Sequence, residues 1–188
     1  MTATPTETDR DTGAQLAWAL LLGACVAVSL GVYGRVHTAA GRPLFALGFS
    51  SMLPMKAWLT TIATALLAVQ LVTALWMWRR LPRVGKPRPW VTGLHRWSGT
   101  AAFVTTLPVA FHCLWSLGFV TASPRVLAHS CLGCFFYGAY AAKMLALRMR
   151  RLPAWALPVL GGTVLATLAL LWLTAALWFF TRSGIPLT

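Results

Sequence analysis

Five stretches of this chain are each long and apolar enough to cross a hydrocarbon layer of ~30 Å, which takes about 20 helical residues. They run at about 14–33, 57–78, 97–120, 126–147 and 156–180. The fold expected from them is all-α: a polytopic membrane protein whose five transmembrane helices form a bundle. A polar cytoplasmic tail, residues 1–13, precedes the five-helix domain of residues 14–180, and an outer tail of residues 181–188 follows it. The start MTATPTETDRDTG lacks a basic n-region, and the first apolar stretch is too long for an h-region. Both features argue against a cleavable signal peptide.

Composition then removes whole classes of chemistry. Charged residues make up 10% of the chain and hydrophobic ones 58%, whereas a soluble domain carries about 25% charged residues. Glu7, Asp9 and Asp11 are the only acids, so no carboxylate occurs after position 11. That excludes a carboxylate general base, a paired-carboxylate hydrolase, a Walker-type magnesium site and a proton relay built on buried acids. The net charge of +13 does not point to nucleic acid, because the basic residues sit in short clusters flanking apolar runs.

Those clusters set the orientation. With the N-terminus inside, the inner segments hold Arg10, then Arg79, Arg80, Arg83, Lys86, Arg88 and Arg96, then Lys143, Arg148, Arg150 and Arg151. The outer segments hold only Arg35, Arg42, Lys56, Arg125 and Arg182, so eleven against five places the N-terminus in and the C-terminus out. A multi-pass protein of the plasma membrane is the expected setting. Trp58, Trp76, Trp78, Trp90, Trp97, Trp115 and Trp178 fall near span ends, as an interfacial aromatic belt does. The basic, proline-rich inner loop after the second span is placed to lie against anionic head groups. The outer loop from Arg35 to Lys56 has an apolar middle, PLFALGFSSMLPM, and is expected to pack as a lid rather than float in water. No internal repeat supports an inverted-repeat transporter, although Gly161–Gly162 permits a local break in the fifth span.

The histidines are His37, His95, His112 and His129. His112 lies nine residues before Thr121, at the turn between spans three and four, and His129 eight residues after it. At about 1.5 Å per residue the two imidazoles stand at nearly equal depth in the outer half of the apolar layer. Ionisable residues there define a candidate site, since each costs free energy unless partnered. Three readings stay open. The pair can be the axial ligands of one b-type haem; they can hydrogen-bond across helices as packing groups; or they can join Cys113, Cys131 or Cys134 in a small metal site. For haem, Gly133 leaves room for a porphyrin edge, Arg125 is placed to pair a propionate, and Pro108 can bend the helix open. His37, beyond the first span, is expected to be exposed, within reach of the haem edge or in place of one assumed ligand. His95 lies about 25 Å below His112 on a different helix face and reads as an interfacial polar anchor. The cysteines, Cys25 included, read as small core residues; a disulfide between Cys113 and Cys131 stays open, and no zinc signature is present.

The segments LHRWSGTAAF, LPVAFHCLW and PRVLAHSCLGCFFYGAYAAKM resemble a family of actinobacterial integral membrane proteins that carries no assigned activity. The likeness covers most of the chain after Lys56 and implies the company of redox proteins such as Rieske-type iron–sulfur proteins. More loosely, HRWSG followed by a second histidine resembles ferric-reductase-type and other two-haem cytochromes b. In those, two histidines share one face of a helix; here His95 and His112 are seventeen residues apart and do not. From that likeness only a haem-ligand role for His112 is carried over.

The function expected is therefore a membrane b-type cytochrome subunit carrying one haem b near the outer leaflet. It passes electrons between the quinone pool, with menaquinone as a candidate, and an outer-face redox partner such as a Rieske-type protein or a cytochrome. Its site residues are His112, His129, Arg125, Gly133 and His37. The alternative is a haem-free membrane anchor or assembly subunit of a larger complex.

Overall fold

A computed structural model describes residues 7–149 and 151–185. Residues 1–6 of the expected inner tail, Arg150 of the inner basic cluster and residues 186–188 of the outer tail lie outside the described residues. The described residues form five helices and no strand: α1 (Glu7–Val36), α2 (Met52–Met77), α3 (Pro89–Leu117), α4 (Pro124–Ala146) and α5 (Ala156–Ser183). Within these, Asp11–Val36, Met52–Met77, Pro89–Leu117 and Ala156–Ser183 are four segments long and apolar enough to cross a membrane. The 23 residues of α4 are also long enough at about 1.5 Å per residue. Arg125, His129, Ser130 and Lys143 lower its apolar character, and it is not one of the four.

The helices outrun the apolar stretches inside them. α3 begins at Pro89 rather than near Trp97, because proline fits a first helical position, where no amide hydrogen is required. Ser123 caps α4, its Oγ accepting the Val126 N–H at 3.3 Å. Gly118 and Gly184 follow the ends of α3 and α5 at φ +72°, the left-handed conformation that glycine adopts without a Cβ clash. Both α3 and α5 contain a wider π turn, at His112–Leu117 and Trp172–Leu177.

The chain divides into two compact units. In the first, made of residues up to Thr38 and of Gly118–Leu170, α1 and α4 run antiparallel. Leu16 clusters with Ala142 and Ala146, Gly23 faces Gly138, and Gly31 faces Cys134. The crossing is a matched pair of small-residue steps, Gly23 to Ala27 and Gly138 to Ala142. A Cβ added to Gly23 would lie 2.5 Å from the Gly138 oxygen and 2.8 Å from the Ala142 Cβ; one added to Gly138 would lie 2.5 Å from the Gly23 oxygen and 2.8 Å from the Ala27 Cβ. Lipid tails are as apolar as leucine, so helices in a bilayer are held by this kind of close approach. Ala156 and Leu160 of α5 complete the apolar cluster around Leu16.

The second unit comprises Ala39–Leu117 and Leu171–Thr188. Here α2 and α3 form an antiparallel hairpin in which Trp76 meets Trp90, Thr73 meets His95 and Gln70 meets Ser98. The later part of α5 joins α2 through the Trp172 indole, which donates to Thr61 Oγ1 at 2.9 Å, and through the edge of Trp58 against Phe180. The connection before α2 does not hang free. Its Ala40 and Gly41 amides donate to the Trp115 and Ser116 carbonyls at 3.1 and 3.0 Å, taking up acceptors left unpaired where α3 ends.

Gly138→Val should force α1 and α4 apart and cost about 1–3 kcal/mol, the usual range for overpacking. It should appear as a lowered melting temperature in detergent. Gly162→Ala, where an added Cβ meets nothing within 4 Å, should leave the melting temperature unchanged or raised.

Candidate functional site around His112

His112 is 0% exposed and opens the π turn of α3. Its Nδ1 lies 2.8 Å from the Pro108 carbonyl oxygen. A carbonyl only accepts, so Nδ1 carries a hydrogen, and in the neutral form of the ring the lone pair then stands on Nε2. That Nε2 is buried and has no hydrogen-bond partner. Leaving a buried acceptor bare costs about 1–3 kcal/mol, so the arrangement is not one that packing alone selects. It is the state in which histidines bind metals: one ring nitrogen fixed by a carbonyl, the other offered as a σ donor.

The local sequence explains how the ring comes to stand there. Pro108 has no amide hydrogen to give the preceding turn, which weakens the helix one turn before His112. The helix then widens into the π turn, a feature that recurs at functional sites. Phe45, from the connection before α2, stands edge-on to the His112 ring at 4.5 Å between centroids. Phe45 also stacks on Phe111, which in turn stacks on Trp115. One helical turn beyond His112, Ser116 is 1% exposed, and its Oγ likewise has no hydrogen-bond partner.

The other expected site residues belong to the first unit. His37 directly follows α1 and is half-buried rather than exposed as expected. Its ring stacks on Tyr33 at 5.0 Å with 10° between planes, and its Nε2 is buried without a partner. Stacking on an aromatic ring one turn back recovers the apolar face that exposure would leave in water. On α4, Arg125 stands in the first turn, His129 is half-buried, and a Cβ on Gly133 would meet nothing within 4 Å. His112 lies in the second unit. Among the described residues no group of three or more His, Cys, Asp or Glu side chains is arranged to hold a metal ion, which leaves the mixed histidine–cysteine site without support. None of Cys25, Cys113, Cys131 and Cys134 is in a disulfide, so the Cys113–Cys131 bridge is not formed.

A second polar cluster, not anticipated from the sequence, ties α2 to α3. His95 Nδ1 lies 2.8 Å from Thr73 Oγ1, whose own hydrogen points to the Val69 carbonyl at 2.6 Å. The threonine oxygen therefore accepts from the imidazole. Gln70 Nε2 donates to Ser98 Oγ at 2.7 Å and to the His95 carbonyl, and the missing Cβ of Gly99 leaves room for the Gln70 amide. His95 is thus built into a helix interface rather than serving as an interfacial anchor alone. The signal was present in Gln70, the one carboxamide in the second apolar stretch, because an amide in a membrane helix has to find a partner.

An all-helical membrane protein with a buried histidine whose Nε2 lacks a hydrogen-bond partner is the class these features define. The chain belongs to the family described as a family of unknown function (DUF6529), whose model matches residues 16–187. No curated protein and no solved structure matches the chain. The likeness of HRWSG to two-haem cytochromes b accordingly rests on that short motif.

Thr73→Val removes the acceptor for His95 Nδ1 while keeping the shape, and should cost about 1–3 kcal/mol. Thr73→Ser should recover most of the loss. Unfolding of both variants in detergent checks the pair.

Proposed function

We propose that this protein is a b-type cytochrome subunit of the plasma membrane, with five spans, the N-terminus inside and the C-terminus outside. In this reading one haem b near the outer leaflet would be held by His112 and His129. It serves as the electron-transfer subunit of an oxidoreductase complex, between the quinone pool, with menaquinone as the candidate carrier, and a Rieske-type or cytochrome partner at the outer face. The observation that carries the reading is the bare, buried Nε2 of His112, with its ring fixed by the Pro108 carbonyl.

The haem supplies a one-electron iron couple when bound. The chain's part is to hold and tune it. Pro108 fixes the ring orientation and the tautomer of His112. His129 is matched to His112 by distance along the chain, nine and eight residues on either side of Thr121. Arg125, in the first turn of α4, would be the residue to pair an anionic propionate. Gly133 contributes an open helix face, and His37 a second buried imidazole nitrogen without a partner. With no carboxylate side chain after Asp11, side chains provide no acid relay for protons.

The second reading, a haem-free anchor or assembly subunit, is favoured by one observation. The His112 ring is fully covered, with Phe45 edge-on to it. For Nε2 to hold a haem, the cover over the ring, Phe45 included, would have to open.

A dithionite-reduced minus oxidised spectrum of protein purified from its own host separates the two readings. One b haem per chain is expected, lost in both His112→Ala and His129→Ala, while Phe45→Ala should speed haem uptake by the apoprotein. An unchanged spectrum in both histidine variants removes the ligand assignment, and a haem-free native preparation leaves the anchor.

A further inference from the structure

The connection between α2 and α3 packs five cations into ten residues: Arg79, Arg80, Arg83, Lys86 and Arg88, all exposed. Like charges so close repel one another, and a flexible loop would splay to separate them. This loop is instead pinned. The Arg79 and Arg80 amides donate to the Trp76 and Leu75 carbonyls at 2.9 and 2.8 Å. The Trp76 indole N–H reaches across to the Gly85 carbonyl at 2.9 Å, and its ring meets Trp90 edge-on at 5.5 Å. Arg79 and Arg83 are held at φ +53° and +66°, a left-handed conformation that costs a non-glycine residue free energy and persists only where the surroundings impose it.

No acidic residue follows Asp11, so the hairpin itself holds nothing to neutralise this cluster, and the three acids of the chain are fewer than its five cations. At least part of the counter-charge has to come from outside. The loop joins the ends of two antiparallel helices that are each long and apolar enough to cross a membrane, which places it at the head-group layer. Trp78 and Trp90, on either side of it, are 47% and 53% exposed, as interfacial anchors are.

We propose that the α2–α3 loop is a preformed binding site for anionic phospholipid head groups. Arg79, Arg80, Arg83, Lys86 and Arg88 pair with their phosphates, and Trp78 and Trp90 seat the loop at the acyl boundary. The pinned backbone presents the cations already gathered, so binding spends little on ordering the loop. The proposal is independent of haem.

The test titrates the purified full-length protein in detergent with phosphatidylglycerol or phosphatidylcholine and counts bound lipids by native mass spectrometry. Wild type should prefer phosphatidylglycerol by about tenfold or more, since each surface cation adds attraction to anionic lipid. High salt should remove that preference. The variant R79Q/R80Q/R83Q/K86Q/R88Q should lose it, and the all-lysine counterpart should keep it, because a phosphate layer reads charge. Trp76→Phe, which removes the bond to Gly85 and keeps the ring, should weaken it. Should the five-glutamine variant fail to fold, the salt series and Trp76→Phe carry the test. Equal binding of the two lipids by wild type overturns the proposal. So does a five-glutamine variant that keeps the preference, or one that instead loses a co-purifying protein with an acidic face while lipid binding stays unchanged.

Discussion

No side-chain ion pair can join α2, α3, α4 and α5 to one another, because the acidic residues of this protein end at Asp11, in α1, and its helices continue to Ser183. In a medium without water, polar groups still need partners and apolar faces gain little by meeting each other rather than lipid. Two other devices take over. At Gly23 and Gly138 the backbones of α1 and α4 touch, and the missing Cβ atoms make the contact possible. Between α2 and α3, hydroxyl, amide and imidazole groups satisfy one another and nearby carbonyls, with Gln70 and Thr73 reaching His95 and Ser98. Most threonines and serines in the helices likewise return their hydrogen to a carbonyl three or four residues back.

Against that background, a polar atom left without a partner carries information. His37 Nε2, Thr64 Oγ1, His112 Nε2 and Ser116 Oγ are the buried atoms in this state among the described residues. Two of them share one turn of α3, where Pro108 interrupts the hydrogen-bond ladder and the helix widens. Where α3 ends, the Trp115 and Ser116 carbonyls have no helical partner and accept from the Ala40 and Gly41 amides, and the same connection carries Phe45 against His112. The covering and the bare lone pair pull the functional reading in opposite directions, which is why Phe45 is as informative as the histidines.

The two ends of α3 differ in what they offer. Near its start, His95 is committed to packing and the adjoining loop to exposed positive charge; at its end, His112 offers a lone pair in an apolar wall. These roles are separated along one helix of 29 residues, about 43 Å at 1.5 Å per residue, so the cationic loop and the candidate ligand stand at opposite ends of α3.

Reading along the chain was enough to establish that it is helical, membrane-spanning in composition and barred from carboxylate chemistry, because length, hydropathy and residue type are properties of local segments. It also singled out His112 and Pro108, since a histidine and a proline inside an apolar run are conspicuous wherever they occur. Which helix pairs with which was not legible. Helices surrounded by lipid need no amphipathic stripe to mark the buried face, so the α1–α4 and α2–α3 partnerships emerge only from the folded backbone. The same holds for His37, expected to be exposed and found stacked on Tyr33, and for His95, drawn into the α2–α3 interface by Thr73 and Gln70. Tautomer and burial at His112 are likewise matters of three-dimensional arrangement: both depend on where a carbonyl one turn back and a phenylalanine sixty-seven residues away come to rest.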